Sequence, residues 1–193
     1  MTVTERRLKR IREVLASRQP DFRVVLENVK NPHNMSAVFR TCDAVGVQHV
    51  HVVTQGRCAG FSRGISKSAE QWIDIHFHDS IETAFQVLKS KGMRVYVTAI
   101  SPSAVDFREC DYKVPCAVVF GNEGEGVSQN ALELADEAIF IPMKGFVQSF
   151  NISVAAAIIL YHAMSMREEA GFYKKCRLDE LEHQRLFNEW IGK

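Results

Sequence analysis

Apolar residues recur along the chain with two different periods. Near the N-terminus, Leu8, Ile11, Val14 and Leu15 return every three or four positions, which is the spacing of one helix face. Over residues 115–120 the apolar run is nearly unbroken, as in a strand that is buried on both faces of a parallel sheet. The sequence therefore predicts both helices and buried strands.

Strands and helices alternate along the rest of the sequence. β-Branched runs bounded by polar residues or glycine predict strands, and apolar positions at helical spacing predict helices. The predicted strands cover residues 23–29, 47–53, 72–77, 93–100, 115–120 and 138–141. The predicted helices cover residues 4–18, 34–44, 80–90, 128–135, 152–169 and 178–190, with a flexible loop at 55–68 and a long connection at 101–114. This alternation favours an α/β domain with a mostly parallel sheet.

The segment 141–160, with the sequence IPMKGFVQSFNISVAAAIIL, changes character half-way along. A proline and a glycine favour a turn at its start, and an apolar run predicts a buried helix at its end. Ser149 and Asn151 precede that run, where their side-chain oxygens suit a helix N-cap. The segment holds more such groups than one cap needs, so two interpretations stand: a capped core helix, or a loop that binds a ligand before the helix begins.

Two further segments with polar or glycine-rich sequences follow predicted strands, at residues 27–40 and 121–126. Open α/β sheets bind their ligands at the carboxyl ends of the strands. The sequence GNEGEG at 121–126 lacks the lysine of a phosphate-binding P-loop and does not match GxGxxG. Its two glutamates would repel a phosphate, so the loop favours a cationic or neutral ligand.

The composition is that of an ordinary globular protein. The chain has 193 residues, 46% of them hydrophobic and 24% charged, which is enough for one sizeable domain. We see no apolar run long enough to span a bilayer and no apolar core of a signal peptide near the charged N-terminus. The expected location is therefore the cytoplasm.

The cysteines and histidines do not predict a metal site. The chain has five cysteines, and no pair has the CxxC spacing of a zinc site or a redox motif. The HxH pairs His49/His51 and His76/His78 lie in predicted strands, without a third and fourth ligand nearby. We therefore interpret them as ordinary strand histidines.

Positive charge is concentrated at the N-terminus. The net charge is +1, yet residues 1–18 carry six arginines and lysines against two glutamates. Such a basic segment favours an anionic partner, with nucleic acid ahead of the alternative of a merely solvated helix. A membrane surface is a weaker candidate, because the apolar face of this helix is small.

Together, three segments resemble the three motifs of the SpoU/TrmH branch of the SPOUT RNA 2′-O-methyltransferases. They read ENVKNPHNMSAVFRTCDAVG, VVFGNEGEGVS and IPMKGFVQSFNISVAAAI, and the likeness covers residues 5–175. The sequences SRQPD at 17–21 and DFRECDY at 106–112 are similar to the tRNA-modifying members of the branch. The resemblance therefore implies methyl transfer from S-adenosyl-L-methionine to a ribose 2′-OH of tRNA, at guanosine 18 of the D-loop.

The resemblance also implies an architecture. It implies a parallel-sheet α/β SPOUT methyltransferase domain over residues 21–171, with a deep trefoil knot near its C-terminus. Residues 1–20 would form a basic helical extension and residues 172–193 a second one. Such enzymes work as homodimers, with their sites at the subunit interface.

The resemblance assigns residues to three roles by motif. Four polar residues would assist the catalytic arginine Arg40, and they are Asn34, Glu123, Ser149 and Asn151. Backbone groups would hold the cofactor at Thr98, Gly121, Ile141 and Phe150. Side chains suited to tRNA contact are Arg10, Arg18, His33 and Arg167. Two alternatives stay open: the same reaction on ribosomal RNA or another tRNA position, or an RNA-binding module without turnover.

Overall fold

A seven-stranded parallel sheet forms the centre of the computed structural model, which describes residues 3–54 and 69–193. The strands are β1 Phe22–Glu27, β2 His49–Val53, β3 Asp74–His78, β4 Arg94–Thr98, β5 Val105–Asp106, β6 Cys116–Phe120 and β7 Glu137–Phe140. The helices are α1 Glu5–Ala16, α2 Pro32–Ala44, α3 Ile81–Ser90, α4 Gln129–Leu134, α5 Ile152–Glu169 and α6 Glu180–Ile191. The strand order β3-β2-β1-β6-β4-β7-β5 confirms the predicted α/β class.

Most predicted elements are present, with shifted ends. Helix α2 begins at Pro32, earlier than predicted, because proline suits the first helical turn and Asn31 caps the helix through the backbone N–H of His33. The predicted strand at 72–77 is a 3₁₀ turn, Glu70–Trp72, followed by β3. The connection predicted at 101–114 contains the short strand β5 and a second 3₁₀ turn. The predicted loop at 55–68, which includes Cys58, lies outside the described residues.

Alternate residues of the central strands face two different helix layers. Val24 and Leu26 pack into a cluster with α2 and α5, whereas Val25 packs into a second cluster with α3. All residues of β6 are buried, as the nearly unbroken apolar run at 115–120 predicts. The residues of β1 and β2 are buried as well, although these strands contain charged residues and histidines.

Helices α1 and α6 pack together in a small cluster of their own. Ile11 and Leu15 of α1 meet Leu186 and Trp190 of α6. Trp190 also packs edge-on against Trp72, with ring centroids 5.6 Å apart. The two ends of the chain therefore form one helical layer beside the sheet.

Four cysteines of the described residues have free thiols, and they are Cys42, Cys110, Cys116 and Cys176. Among the helices described, none combines the length and the apolar character required to cross a bilayer.

Candidate active site

The carboxyl ends of β4, β6 and β7 open into one cavity of about 450 Å³, which we call the main cavity. Its size is typical of sites for small molecules. The lining includes six of the residues predicted for the site, namely Thr98, Gly121, Glu123, Ile141, Ser149 and Phe150. The structure therefore brings all four predicted cofactor-binding positions to the wall of the same cavity.

The loop 121–126 forms one wall of the main cavity and is closed on itself. The backbones of Asn122 and Gly126 exchange two hydrogen bonds, of 2.8 and 2.9 Å. A Cβ atom on Gly121 would lie 2.1 Å from the carbonyl carbon of Gly126, so only glycine fits there. Gly126 has a φ of +72°, which also favours glycine. Two of the three glycines in this loop are therefore required by its backbone path.

One hydrogen-bonded chain joins the three motif segments. The amide Nδ2 of Asn34 donates to Oε1 of Glu123 at 2.6 Å, and Nδ2 of Asn151 donates to Oδ1 of Asn34 at 3.2 Å. Asn151 is also the N-cap of α5, because its Oδ1 accepts from the backbone N–H of Ser153 at 2.9 Å. Asn151 therefore caps α5 and also contacts the first motif segment through Asn34.

Arg40 lies in a different concavity from the predicted cofactor-binding residues. It is exposed on α2 and lines a cavity of about 440 Å³ with His33, Ala157 and Tyr161. We call this the α2–α5 cavity. Arg40 follows Asn34 by six residues, or about 9 Å along a helix axis. Within one chain, Arg40 therefore lines a surface next to the main cavity and not the main cavity itself.

Two of the four arginine and histidine positions expected to contact tRNA are accessible. Arg10 has a side chain that is 75% exposed and pairs only loosely with Glu13, at 3.6 Å. His33 is exposed in the first turn of α2. Both positions are open to a large anionic partner.

The other two positions correct that expectation, because Arg18 and Arg167 are fully buried. Arg18 pairs with Asp43 at 2.5 Å and lies over the ring of Trp190. Arg167 donates to the carbonyl oxygen of Tyr112 at 2.7 Å and to the carboxylate of Asp21 at 2.8 Å. Their guanidinium groups are thus used inside the chain, and this conformation does not offer them to RNA.

The pKa of Asp21 reflects this buried network. Burial opposes ionisation of the carboxyl, but the charge of Arg167 and hydrogen bonds from Arg177 and Arg167 lower its pKa below the usual value. Arg177 contacts the second carboxylate oxygen at 2.6 Å. Asp21 therefore stays ionised and fastens the last turn of α5 to the start of β1.

The two HxH pairs form a ladder across β2 and β3. Nδ1 of His51 lies 2.8 Å from Nε2 of His78, and Nδ1 of His49 lies 3.1 Å from Nε2 of His76. Burial lowers the pKa of His76 to about 4 and that of His51 to about 2, which keeps both rings neutral at pH 7. The ladder therefore behaves as a set of hydrogen-bonded strand histidines.

Three side chains beside this ladder, His49, Asp74 and Glu182, lie close enough to share a metal ion. Asp74 is already paired with Arg185 at 2.5 Å, and Glu182 accepts from Nε2 of His49 at 2.9 Å. Both carboxylates thus have partners within the chain, and Arg185 also lies 3.8 Å from Glu182. These contacts join α6 to the sheet.

The main cavity suits a ligand that carries positive charge. Of its lining residues, the charged ones are Glu123 and Glu125. Apolar side chains and the exposed backbone of the loop 121–126 make up much of the remaining wall. The cavity therefore offers apolar surface, backbone hydrogen-bonding groups and negative charge together, and S-adenosylmethionine fits this combination.

Comparisons with known proteins show which family the chain resembles. The model of the SpoU rRNA Methylase family matches residues 21–161, which contain all three motif segments. The chain is 49% identical over 190 residues to the tRNA (guanosine(18)-2′-O)-methyltransferase of Thermus thermophilus, with 98% of each chain covered.

The chain belongs to the SpoU methylase family.

Solved structures of this family share the fold. The crystal structure of the TrmH/SpoU tRNA modifying enzyme from Aquifex aeolicus aligns with a TM-score of 0.89 at 42% identity, over 97% of this chain and 96% of that one. The SpoU methyltransferase AviRb from Streptomyces viridochromogenes, solved in complex with the cofactor AdoMet, aligns with a TM-score of 0.69 at 23% identity. This alignment covers 78% of this chain and 59% of the AviRb chain, and it shows a shared fold alone.

Two residues to which the motifs assign no role, Glu27 and Asn122, contact both ends of the segment 121–128. Glu27 is 2% exposed at the end of β1, and its Oε2 accepts from the backbone N–H of Ser128 at 2.9 Å. Nδ2 of Asn122 donates to the carbonyl oxygen of Asn28 at 2.9 Å. A charged residue that ends a buried strand, and an asparagine ahead of a glycine-rich turn, are the sequence signals that could have marked them.

Proposed function

We propose that this chain transfers a methyl group from S-adenosyl-L-methionine to the ribose 2′-OH of guanosine 18 in the D-loop of tRNA. One observation carries the proposal: Asn34 of the first motif is hydrogen-bonded both to Glu123 of the second and to Asn151 of the third, beside the main cavity. The near full-length likeness to the Thermus thermophilus enzyme supports tRNA and guanosine 18 as the target.

The backbone around the main cavity would hold the cofactor. The positions concerned are Thr98, Gly121, Ile141 and Phe150. When bound, S-adenosylmethionine supplies a methyl group that is activated by a positively charged sulfur. Glu123 and Glu125 favour such a cation electrostatically, and the rest of the wall shields it from water.

The chain itself would have to align the 2′-oxygen and assist loss of its proton. We assign this role to Arg40. An arginine side chain has donors and no acceptor, so Arg40 would polarise the hydroxyl and hold a neighbouring RNA phosphate, which would accept the proton. Asn34 and Asn151 would fix the ribose near Glu123, and Ser149 would shape the same wall. The 2′-OH is the group that distinguishes RNA from DNA.

A homodimer would complete this site. Arg40 lines the α2–α5 cavity, and the apolar side chains Val154 and Tyr161 of α5 are 44% and 62% exposed. Phe146 and Phe150, in the segment before α5, are also exposed. A second copy that covered these residues would bury apolar surface and bring its own cofactor site towards Arg40.

The remaining architecture is proposed from the family. We place a deep trefoil knot near the C-terminus of a methyltransferase domain at 21–171. The extension at 1–20, with Arg10, and the exposed His33 would help bind tRNA. The extension at 172–193 packs on the first one, as α6 packs on α1. Action on tRNA during its maturation points to the cytoplasm.

Transfer of a labelled methyl group to unmodified tRNA tests the proposal. We expect incorporation with wild-type protein, none into tRNA that carries 2′-deoxyguanosine at position 18, and a loss on the order of 100-fold or more in Arg40→Ala. Arg108→Ala is the matched control, because Arg108 is exposed and pairs locally with Asp106. Undiminished transfer by Arg40→Ala would remove Arg40 from the mechanism.

Two other functions are outcomes of the same experiment. Incorporation into ribosomal RNA or at another tRNA nucleotide, located by digestion and mass spectrometry, would identify a different target. RNA binding without any incorporation, together with no heat of cofactor binding in calorimetry, would identify a module without turnover.

A further inference from the structure

We propose that Glu27 and Asn122 are positioning residues of this reaction, which fasten both ends of the segment 121–128 to the end of β1 and thereby hold Glu123 against Asn34. The inference rests on the proposed function, since it concerns the residues that act on the ribose. Neither side chain needs to touch the substrate for this role.

Asn122 uses both ends of its side-chain amide. Its Oδ1 accepts from the backbone N–H groups of Gly124 at 2.8 Å and Glu125 at 3.3 Å. Its Nδ2 donates to the carbonyl oxygen of Asn28 at 2.9 Å. An aspartate could accept the first two hydrogen bonds but could not donate the third, so this set of contacts requires asparagine rather than aspartate.

The acceptor of that third contact has an unusual backbone. Asn28 has a φ of +53° and is the one non-glycine residue with positive φ in the described parts of the chain. Its carbonyl is thereby turned away from the direction of β1, towards the loop that follows β6. The contact crosses from the first motif segment to the second.

Glu27 holds the other end of the segment. It is 2% exposed, and Oε2 accepts from the backbone N–H of Ser128 at 2.9 Å. Ser128 in turn caps α4, since its Oγ accepts from the backbone N–H of Ala131 at 3.1 Å. Two consecutive residues, Glu27 and Asn28, thus receive the two ends of 121–128.

Holding both ends of the segment 121–128 also fixes the position of Glu123, because the backbone between these ends is itself constrained. The backbones of Asn122 and Gly126 are bonded in both directions, and Gly121 leaves no room for a Cβ against Gly126. Asn34 lies in the first turn of α2, which the short loop 28–31 connects to β1. The end of β1 is therefore linked to Asn34 along the chain and to the segment that carries Glu123 through Glu27 and the Asn28–Asn122 contact. The 2.6 Å contact between Asn34 and Glu123 depends on this shared support.

The test compares Asn122→Asp with Asn130→Asp. Asn130 also donates a hydrogen bond through Nδ2, to Oε1 of Glu82 at 2.6 Å. It is the control because it is exposed on α4 and lies outside the main cavity. We expect kcat to fall on the order of 100-fold in Asn122→Asp, as for a misaligned site, with tRNA affinity kept. In Glu27→Ala, hydrogen exchange at the Ser128 amide should accelerate, because that amide loses its acceptor. Glu27→Gln should restore much of the activity, because it keeps an acceptor oxygen.

A double-mutant cycle separates positioning from general loosening of the fold. If Asn122 acts through Glu123, Asn122→Asp should change kcat little further in a Glu123→Ala background. Fully additive losses, or variants that match Asn130→Asp in kcat, would overturn the inference while leaving the proposed function intact. A wild-type chain that transfers no methyl group to tRNA would instead refute the proposed function itself.

Discussion

Asn34 and Asn151 are 117 positions apart in the chain and share a hydrogen bond of 3.2 Å, from Nδ2 of Asn151 to Oδ1 of Asn34. Because Asn34 also donates to Glu123, its amide connects the first motif to both of the others. The bond further ties the N-cap of α5 to the first turns of α2. The three motif segments are thus joined by hydrogen bonds between side chains, although they lie far apart in the chain.

Replacing Asn34 by aspartate should disable this alignment. The new carboxylate cannot donate to Glu123 and would face its negative charge, now at 2.6 Å. We expect methyl transfer to fall on the order of 100-fold, with the melting temperature nearly unchanged because Asn34 lies at the rim of the site. Steady-state kinetics measures kcat, and scanning calorimetry measures the melting temperature. An unchanged kcat would show that the contact has no catalytic role.

The buried arginine Arg167 should contribute to stability. Among the described residues, Arg167→Met leaves Asp21 with Arg177 as its one charged partner. It also removes the donors to Tyr112 and Gln19. We expect a loss of about 3–5 kcal/mol in the free energy of unfolding, measured by chemical denaturation.

The exposed Arg10 provides the contrast. Arg10→Ala should change the free energy of unfolding by less than about 0.5 kcal/mol relative to wild type. It should weaken tRNA binding and reduce the dependence of that binding on salt. Binding titrations at two salt concentrations test this. A stable Arg167→Met that lost only tRNA affinity would contradict the buried, structural role of that arginine.

Gly121 should not tolerate a side chain. In Gly121→Ala the added Cβ would meet the backbone of Gly126 at 2.1 Å, which cannot move without opening the loop. We expect about 1–3 kcal/mol of lost stability and much weaker cofactor binding in calorimetry. Gly124→Ala is the control for stability, because its Cβ would find only the Asn122 side chain, at 3.5 Å. Equal effects of the two substitutions would refute the steric argument.

Stability should fall in mild acid because of the histidine ladder. Burial lowers the pKa of His76 from 6.5 to about 4, so the unfolded chain binds more protons than the folded one between these values. The contribution of the neutral ring is present above pH 6.5 and is lost as the pH falls towards 4. His51, whose pKa burial lowers to about 2, acts in the same direction.

Thermal unfolding from pH 7 to pH 4.5 measures this effect. His76→Phe should reduce the slope of the melting temperature against pH, because it removes the group whose pKa burial lowers. Identical slopes in wild type and His76→Phe would mean that His76 does not control the acid sensitivity.

The local periodicity of the sequence determined the α/β class and most helices and strands. The run at 115–120 identified a central strand, because burial on both faces demands apolar residues at every position. Helix ends were harder to place, since caps such as Asn31 depend on backbone geometry as much as on residue type. The resemblance to known motifs, and not periodicity, selected Asn34, Glu123 and Asn151.

Only the tertiary structure decided which charged residues are available to a partner. Arg10, Arg18 and Arg167 are alike as sequence letters, yet the first is exposed and the other two are fully buried. The difference arises because Asp43, Asp21 and the carbonyl of Tyr112 come from other parts of the chain and offset the cost of burying a guanidinium group. Such partners are set by packing between distant segments, which no local pattern of residues encodes.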